Sequence, residues 1–326
     1  MSDMLEIAQQ NLISPMVLFF ALGLFASFVK SDLSVPDAIA KTMALYLMMA
    51  IGFKGGVELS GGGLTATLFA VLLAGAVLSA LLPVIGFGLL RVTSDLSRVD
   101  AAAVAAHYGS ISIVTFVAAT QALATAGLSY DGYMIAVAAV MESPAIMMAL
   151  LLAKRANAAS PADGQGTHIG REIFFNSSVL MLTGAFLIGY ITGKPGLDTI
   201  APFIVDPFRG VLCLFLLDMG LIAARGLRSS LGRLSMPVLL YGLYMPLVGA
   251  VIGAGAAVLV ALPAGSAALL ITLSASASYI AVPAALRLAL PEATPSIYLT
   301  LSLGITFPFN LAIGIPLYIW LAEVLT

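Results

Sequence analysis

Tyr108-Gly109-Ser110-Ile111-Ser112 interrupts a long apolar stretch, and Ser274-Ala275-Ser276-Ala277-Ser278-Tyr279 repeats its character about 166 residues later. Around these two clusters the second half of the chain reads as a weak copy of the first. Phe20 to Lys30 is echoed by Thr183 to Lys194, and Ala50-Ile51-Gly52-Phe53 by Met219-Gly220-Leu221-Ile222. Polar interruptions at matching positions of two hydrophobic halves are the sequence mark of a membrane protein built from repeats, with a binding site where the interruptions meet.

The membrane assignment rests on composition. The chain is 61% hydrophobic and 9% charged, and its mean hydropathy of +1.08 lies outside the range of soluble domains. Apolar runs long enough to cross a bilayer recur along its length. They predict about ten spans, at 13–29, 35–53, 64–90, 99–123, 133–152, 177–191, 207–224, 234–262, 265–290 and 297–325. Gly61-Gly62-Gly63, Pro195-Gly196 and Pro291 to Pro295 read as turns between them. The polar interval 157–172 reads as a cytoplasmic linker between a first five-helix repeat, 1–156, and a second, 173–326.

Charge placement sets the orientation. With the N-terminus outside, the cytoplasmic ends carry Lys30, Lys41, Arg91, Arg98, Lys154, Arg155, Arg171, Arg225, Arg228, Arg233 and Arg287. The outer side keeps only Lys54, Lys194 and Arg209. This obeys the positive-inside rule and puts both termini outside an inner (plasma) membrane. Five spans per half, an odd number, make the second repeat inverted relative to the first. Asp3 and Glu6, with no basic residue before Lys30, leave no positive n-region, so the N-terminus reads as an end that stays in the mature protein. The net charge of −2 gives no drive towards nucleic acid.

Serines two apart do not share a helical face. They make sense where the backbone is partly extended, which is tolerated at membrane depth only inside protein or beside water. A helix starting after each break presents free N–H groups and partial positive charge, an anion site without Arg or Lys. The expected substrate-binding residues are Gly109, Ser110, Ser112 and Thr115 in one half and Ser274, Ser276 and Ser278 in the other. Tyr279 either supplies a phenol or wedges the site shut. The competing reading is that small residues simply let helices pack closely. Two pairs at equivalent positions favour the site.

Intramembrane charge is costly unless used or neutralised. Glu142 lies mid-span, two residues before Pro144, and Pro308 stands opposite in the second repeat. Glu142 with Thr306 and Asn310 offers hard oxygen ligands for Na⁺; the same carboxylate could carry a proton, or pair structurally with Gln121 or Lys54. Asp218 and Arg209 read as structural, and His107 as a satisfied polar neighbour. Two His and the single Cys213 argue against a transition-metal centre and a disulfide framework. No nucleophile–base set, phosphate loop or redox motif is present, so an enzyme is a poor reading.

These residues resemble the sodium-dependent bicarbonate transporters, the SbtA-type permeases. The carriers are Asp206 to Gly220 with its Phe208-Arg209-Gly210, the serine-rich ninth span with Pro283-Ala284-Ala285-Leu286-Arg287, Pro291 to Ser296 with Tyr298, and Ile313 to Leu317. The resemblance implies a gate domain from spans one, two, six and seven and a core domain from the rest. It further implies elevator-type movement, a homotrimer, and Na⁺-coupled uptake of a small anion, HCO₃⁻. Ser112 and Thr115 match hydroxyls of the family's first break, Ser276 and Ser278 those of the second, and Glu142 stands where the family has Asp. Ile113-Val114 and Tyr279-Ile280-Ala281-Val282 depart from the family by replacing polar groups with bulkier apolar ones. A PII-like regulatory partner on the cytoplasmic face is also implied, although the linker is shorter than in members with a long one. An organic carboxylate carrier, with Tyr279, Ile113 and Val114 around an apolar tail, is the second reading. A non-transporting receptor or scaffold, or a passive channel, comes third.

Overall fold

The computed structural model describes residues 13–62, 66–154, 177–230 and 234–326. The expected linker 157–172 lies outside them, as do Arg155, Arg171 and Arg233. Among the described residues the chain is helical, with no strand. Seven helical segments are long and apolar enough to cross a membrane, and Pro15–Phe28 and Ala264–Ser274 are shorter apolar helices. The chain is thus a multi-pass membrane protein.

The first half comprises α1 (Pro15–Phe28), α2 (Asp37–Gly62), α3 (Ala66–Thr93), α4 (Arg98–Gly109), α5 (Ile113–Thr125) and α6 (Tyr133–Lys154). The second comprises α7 (Ser177–Ile204), α8 (Phe208–Ser230), α9 (Met236–Leu259), α10 (Ala264–Ser274), α11 (Ala281–Ala289) and α12, the segment Pro295–Leu325. Local chemistry sets several helix starts. Ser14 caps α1, accepting from the Val17 amide, with Pro15 in the first turn. Ser97 caps α4 by accepting from the Asp100 amide at 3.0 Å. The Asp100 carboxylate in turn accepts from the Thr294 amide at 2.8 Å, tying the turn before α12 to α4.

The most extensive pairings are α2 with α7 and α1 with α8, each joining the two halves of the chain. Both are made by glycines. A Cβ on Gly23 would strike the carbonyl of Leu217, and one on Gly220 the carbonyl of Phe20. In the other crossing, Gly56 lies against the Phe186 carbonyl and Gly189 against that of Phe53. Each carbonyl belongs to the residue three before the partner glycine, so the two crossings have the same geometry. Close backbone approach of this kind drives helix association in lipid, where no hydrophobic difference exists between side chain and solvent.

α3 carries buried residues at Val71, Gly75, Leu78, Ser79, Leu82, Pro83 and Gly86, a stripe at helical spacing. That face packs on α4 and α6. The segment through α4 and α5 is buried over its whole apolar window, as is nearly all of α10. The broken segments therefore sit inside protein, where unwound backbone is admissible.

Two expectations change. Gly61 and Gly62 belong to the last turn of α2 rather than a loop, because a terminal turn tolerates glycine in open space; Gly63 lies outside the described residues. Pro195-Gly196 is not the turn. The helix kinks at Gly193 (φ 56°, ψ −154°), which only glycine adopts readily, and Pro195 then opens a second helical stretch to Ile204. The last span contains two π-helical stretches, Thr300–Thr306 and Asn310–Gly314. Each precedes a proline, Pro308 or Pro316, whose ring would clash with the carbonyl four residues back in a regular helix.

Candidate functional site

The first break is extended at Ser110 (φ −84°, ψ 165°) and Ser112 (φ −99°, ψ 107°), as the serine spacing predicts. Ser112 caps α5: its Oγ accepts from the Thr115 amide at 3.1 Å and from the Thr115 hydroxyl at 2.9 Å. The second break, between α10 and α11, crosses the first. The Ser112 amide donates to Ser276 Oγ at 3.0 Å, and the Ser278 amide donates to the His107 carbonyl at 2.7 Å. Ser276 passes its own proton to the Leu273 carbonyl at 2.8 Å.

A cavity opens where the two crossed breaks meet α6. Ser112, Ser278, Tyr279 and Glu142 supply its polar lining, and Met48, Ile111, Ile113, Ile280 and Ala281 the rest. Its free volume is about 10 Å³, close to what a single water needs. The starts of α5 and α11 both face it, and the first amides of each helix have no intrahelical acceptor. Val282 of α11 takes only a long bond, 3.4 Å, to Ser278 Oγ.

Glu142 is 3% exposed and its Oε2 has no hydrogen-bond partner. The Tyr279 hydroxyl lies beside Ser112 and is likewise buried without a partner. A buried carboxylate left unpaired is unstable by several kcal/mol, so it must gain a cation or a proton. The residues present fit a sodium ion. The Glu142 carboxylate, the Ser278 hydroxyl, a phenol and the carbonyls of an unwound backbone are hard oxygen donors, while Ser112 Oγ already accepts two hydrogen bonds and has only its proton left to give. Among the described residues no cluster of three or more His, Cys, Asp or Glu forms a metal centre of another kind.

The expected site residues divide into three groups. Ser112, Ser278, Tyr279 and Glu142 are brought together. Thr115 and Ser276 stand one hydrogen bond behind them. Gly109, Ser110 and Ser274 do not line the cavity: Gly109 packs on Pro83 and the Ser79 carbonyl, Ser274 Oγ donates to Leu270 and lies against Gly253, and Ser110 Oγ is buried unpartnered.

The structure does not bring Thr306 and Asn310 to Glu142. The Thr306 hydroxyl donates to the Gly242 carbonyl and pairs with the Tyr108 hydroxyl, both at 2.6 Å. Asn310 donates to the Ala275 carbonyl and accepts from Tyr318, both at 2.8 Å. These bonds bind α12 to α9, α4 and the second break. Nor does Glu142 pair with Gln121 or Lys54. Gln121 accepts from Arg209 Nε at 3.0 Å, and Lys54 Nζ lies 5.0 Å over the Phe208 ring. His107 donates through Nδ1 to the Ala103 carbonyl at 2.7 Å and stacks on Tyr298, but its Nε2 is buried without a partner, so it is only half the satisfied neighbour expected.

Two contributors are not singled out by the sequence. Met48 reaches the cavity from α2, one of the helices that pair the two halves. Ser79 of α3 reaches the backbone of α6 on either side of Glu142.

No curated protein matches the chain. A family model described as the Na⁺-dependent bicarbonate transporter superfamily matches residues 15–323, nearly all of it. With a whole-length match, two crossed helix breaks and a buried carboxylate at their meeting point, the chain belongs to the Na⁺-dependent bicarbonate transporter superfamily.

Proposed function

We propose that the protein is a secondary active transporter that couples Na⁺ entry to uptake of a small anion, bicarbonate first, across the inner membrane. The observation that carries this reading is the unpaired Oε2 of Glu142 in one cavity with Ser112, Ser278 and two helix N-termini. Helix starts favour an anion and the carboxylate favours a cation. Each ligand therefore relieves the charge that opposes the other, which is the physical content of coupling. Bicarbonate needs less widening of this one-water cavity than an organic carboxylate, whose apolar tail needs further room between Tyr279 and Ile113.

An inverted repeat underlies the transport cycle in this reading. It is supported by the matched crossings of α1 on α8 and α2 on α7: Gly23 and Gly189 are 166 residues apart, as are Ser112 and Ser278, and Gly56 and Gly220 are 164 apart. The same four helices form the gate, the others form the core, and the core carries the site across in an elevator movement. Both termini lie outside. Supporting this, Arg228 at the opposite, cytoplasmic end donates to the Ser27 carbonyl at 2.6 Å, while Lys54 and Arg209 gather near Phe208. A homotrimer and sodium as the only cofactor complete the proposal and rest on the family.

The test is uptake of labelled bicarbonate into proteoliposomes with and without an inward Na⁺ gradient at fixed pH. Concentrative uptake that requires the gradient is expected; uptake indifferent to sodium, by folded protein, overturns the reading. Replacing Glu142 by Gln removes the charge at nearly constant shape. The sodium concentration for half-maximal uptake is expected to rise about tenfold or more, the effect of roughly 1.4 kcal/mol. An unchanged sodium response removes Glu142 from coupling.

A further inference from the structure

Ser79 is fully buried in the middle of α3, on the face that meets α6. The two helices approach closely there: four residues earlier, a Cβ on Gly75 would press on Val137 and Met141. Ser79 Oγ donates to the Met141 carbonyl at 2.5 Å and accepts from the Ala145 amide at 3.1 Å. In a regular helix these two α6 groups would bond each other, residue 145 to residue 141. The hydroxyl bonds both members of that link. Pro144 weakens the same turn, since it has no N–H to give the Val140 carbonyl. Glu142 lies within that turn, between the two groups that Ser79 holds.

The same turn of α3 also seats the first break, because Gly109 packs directly on Pro83 and the Ser79 carbonyl. One segment of α3 thus touches the backbone beside both Ser112 and Glu142. We infer that Ser79 is a positioning residue for the coupling site: its hydroxyl bridges the α6 backbone on either side of Glu142 and fixes the turn that aims Glu142 into the cavity between the crossed breaks. The inference rests on the coupling role proposed for Glu142. A serine that only filled space would be replaced by alanine without consequence for ions. A serine that sets the turn changes the ion response while leaving the fold in place.

The experiment combines Ser79→Ala, Glu142→Gln and the double variant in full-length protein. Sodium response curves are measured in proteoliposomes, and hydrogen–deuterium exchange is followed over residues 141–147. Ser79→Ala is expected to raise the half-maximal sodium concentration about fivefold and to speed exchange in 141–147, because Ala145 loses its acceptor. On the Glu142→Gln background the sodium shift from Ser79→Ala is expected to vanish, as coupled sites are non-additive. Ser79→Cys, similar in size and a weaker hydrogen-bonding group, is expected to fall between, and serves if the alanine variant is not recovered folded. A wild-type sodium curve for Ser79→Ala, or a full shift on the Glu142→Gln background, overturns this inference alone. A wild-type curve for Glu142→Gln overturns the coupling reading and this inference with it.

Discussion

Replacing Ser112 by leucine is expected to reduce sodium-driven uptake below about a tenth of wild type, more than a tenfold loss, while folded protein is still recovered. Three effects converge on that side chain. The cavity is about 10 Å³ in free volume, so three added carbons overfill it and block the widening that an anion needs beside Ser278 and Tyr279. The hydroxyl that accepts from the Thr115 amide and hydroxyl is lost, which loosens the start of α5 by about 1 kcal/mol. Overpacking adds about 1–3 kcal/mol, shared with Tyr279 and Met48 as they yield. The Ser112 amide keeps its bond to Ser276, so the crossing of the two breaks survives the change. Ser112→Ala separates the terms. It removes the hydroxyl without filling the cavity, and a partial loss of uptake is expected. Size-exclusion profiles and uptake measured side by side check both variants; normal uptake by folded Ser112→Leu would remove this cavity from the anion's path.

Much of this site is legible in the sequence because its signals are local. Ser110 and Ser112 cannot share a helical face, so their spacing announces extended backbone, and the dihedral angles at both are extended. Glu142 stands out because a carboxylate beside a proline in an apolar run has no cheap alternative. What the sequence does not display is which hydroxyls are already engaged. Thr306 and Asn310 look like free oxygen ligands until α9, α4 and Tyr318 are placed around them. Ser276 looks equivalent to Ser278, yet it faces the other break and bridges it. Ser79 is one serine in a long apolar helix, and its meaning arises only where α3 meets the turn of α6 that carries Glu142. Likewise the kink at Gly193 is hidden by the stronger turn signal of Pro195-Gly196, because proline also opens helices.

Gly189 and Gly184 lie on the same helix and are predicted to respond oppositely to one methyl group. A Cβ at Gly189 would overlap the Phe53 carbonyl of α2, and backbone cannot swing aside as a side chain does. A Cβ at Gly184 meets nothing within 4 Å. Gly189→Ala is therefore expected to destabilise the protein by about 1–3 kcal/mol, the cost of forcing two packed helices apart. Gly184→Ala is expected to be neutral or to stabilise by up to about 1 kcal/mol, since alanine favours the helix over glycine. Thermal unfolding in detergent, read by size exclusion after heating, checks the pair. Gly56, Gly23 and Gly220 face carbonyls in the same way, so alanine at each is expected to behave like Gly189→Ala. A flat response at all four would mean that the α1–α8 and α2–α7 crossings do not hold the two halves together. The predicted loss would instead tie the four glycines to one mechanical task. They would weld α1, α2, α7 and α8 into a rigid unit, which the proposed elevator cycle requires of the frame past which a core carrying Glu142 and the two breaks is to move.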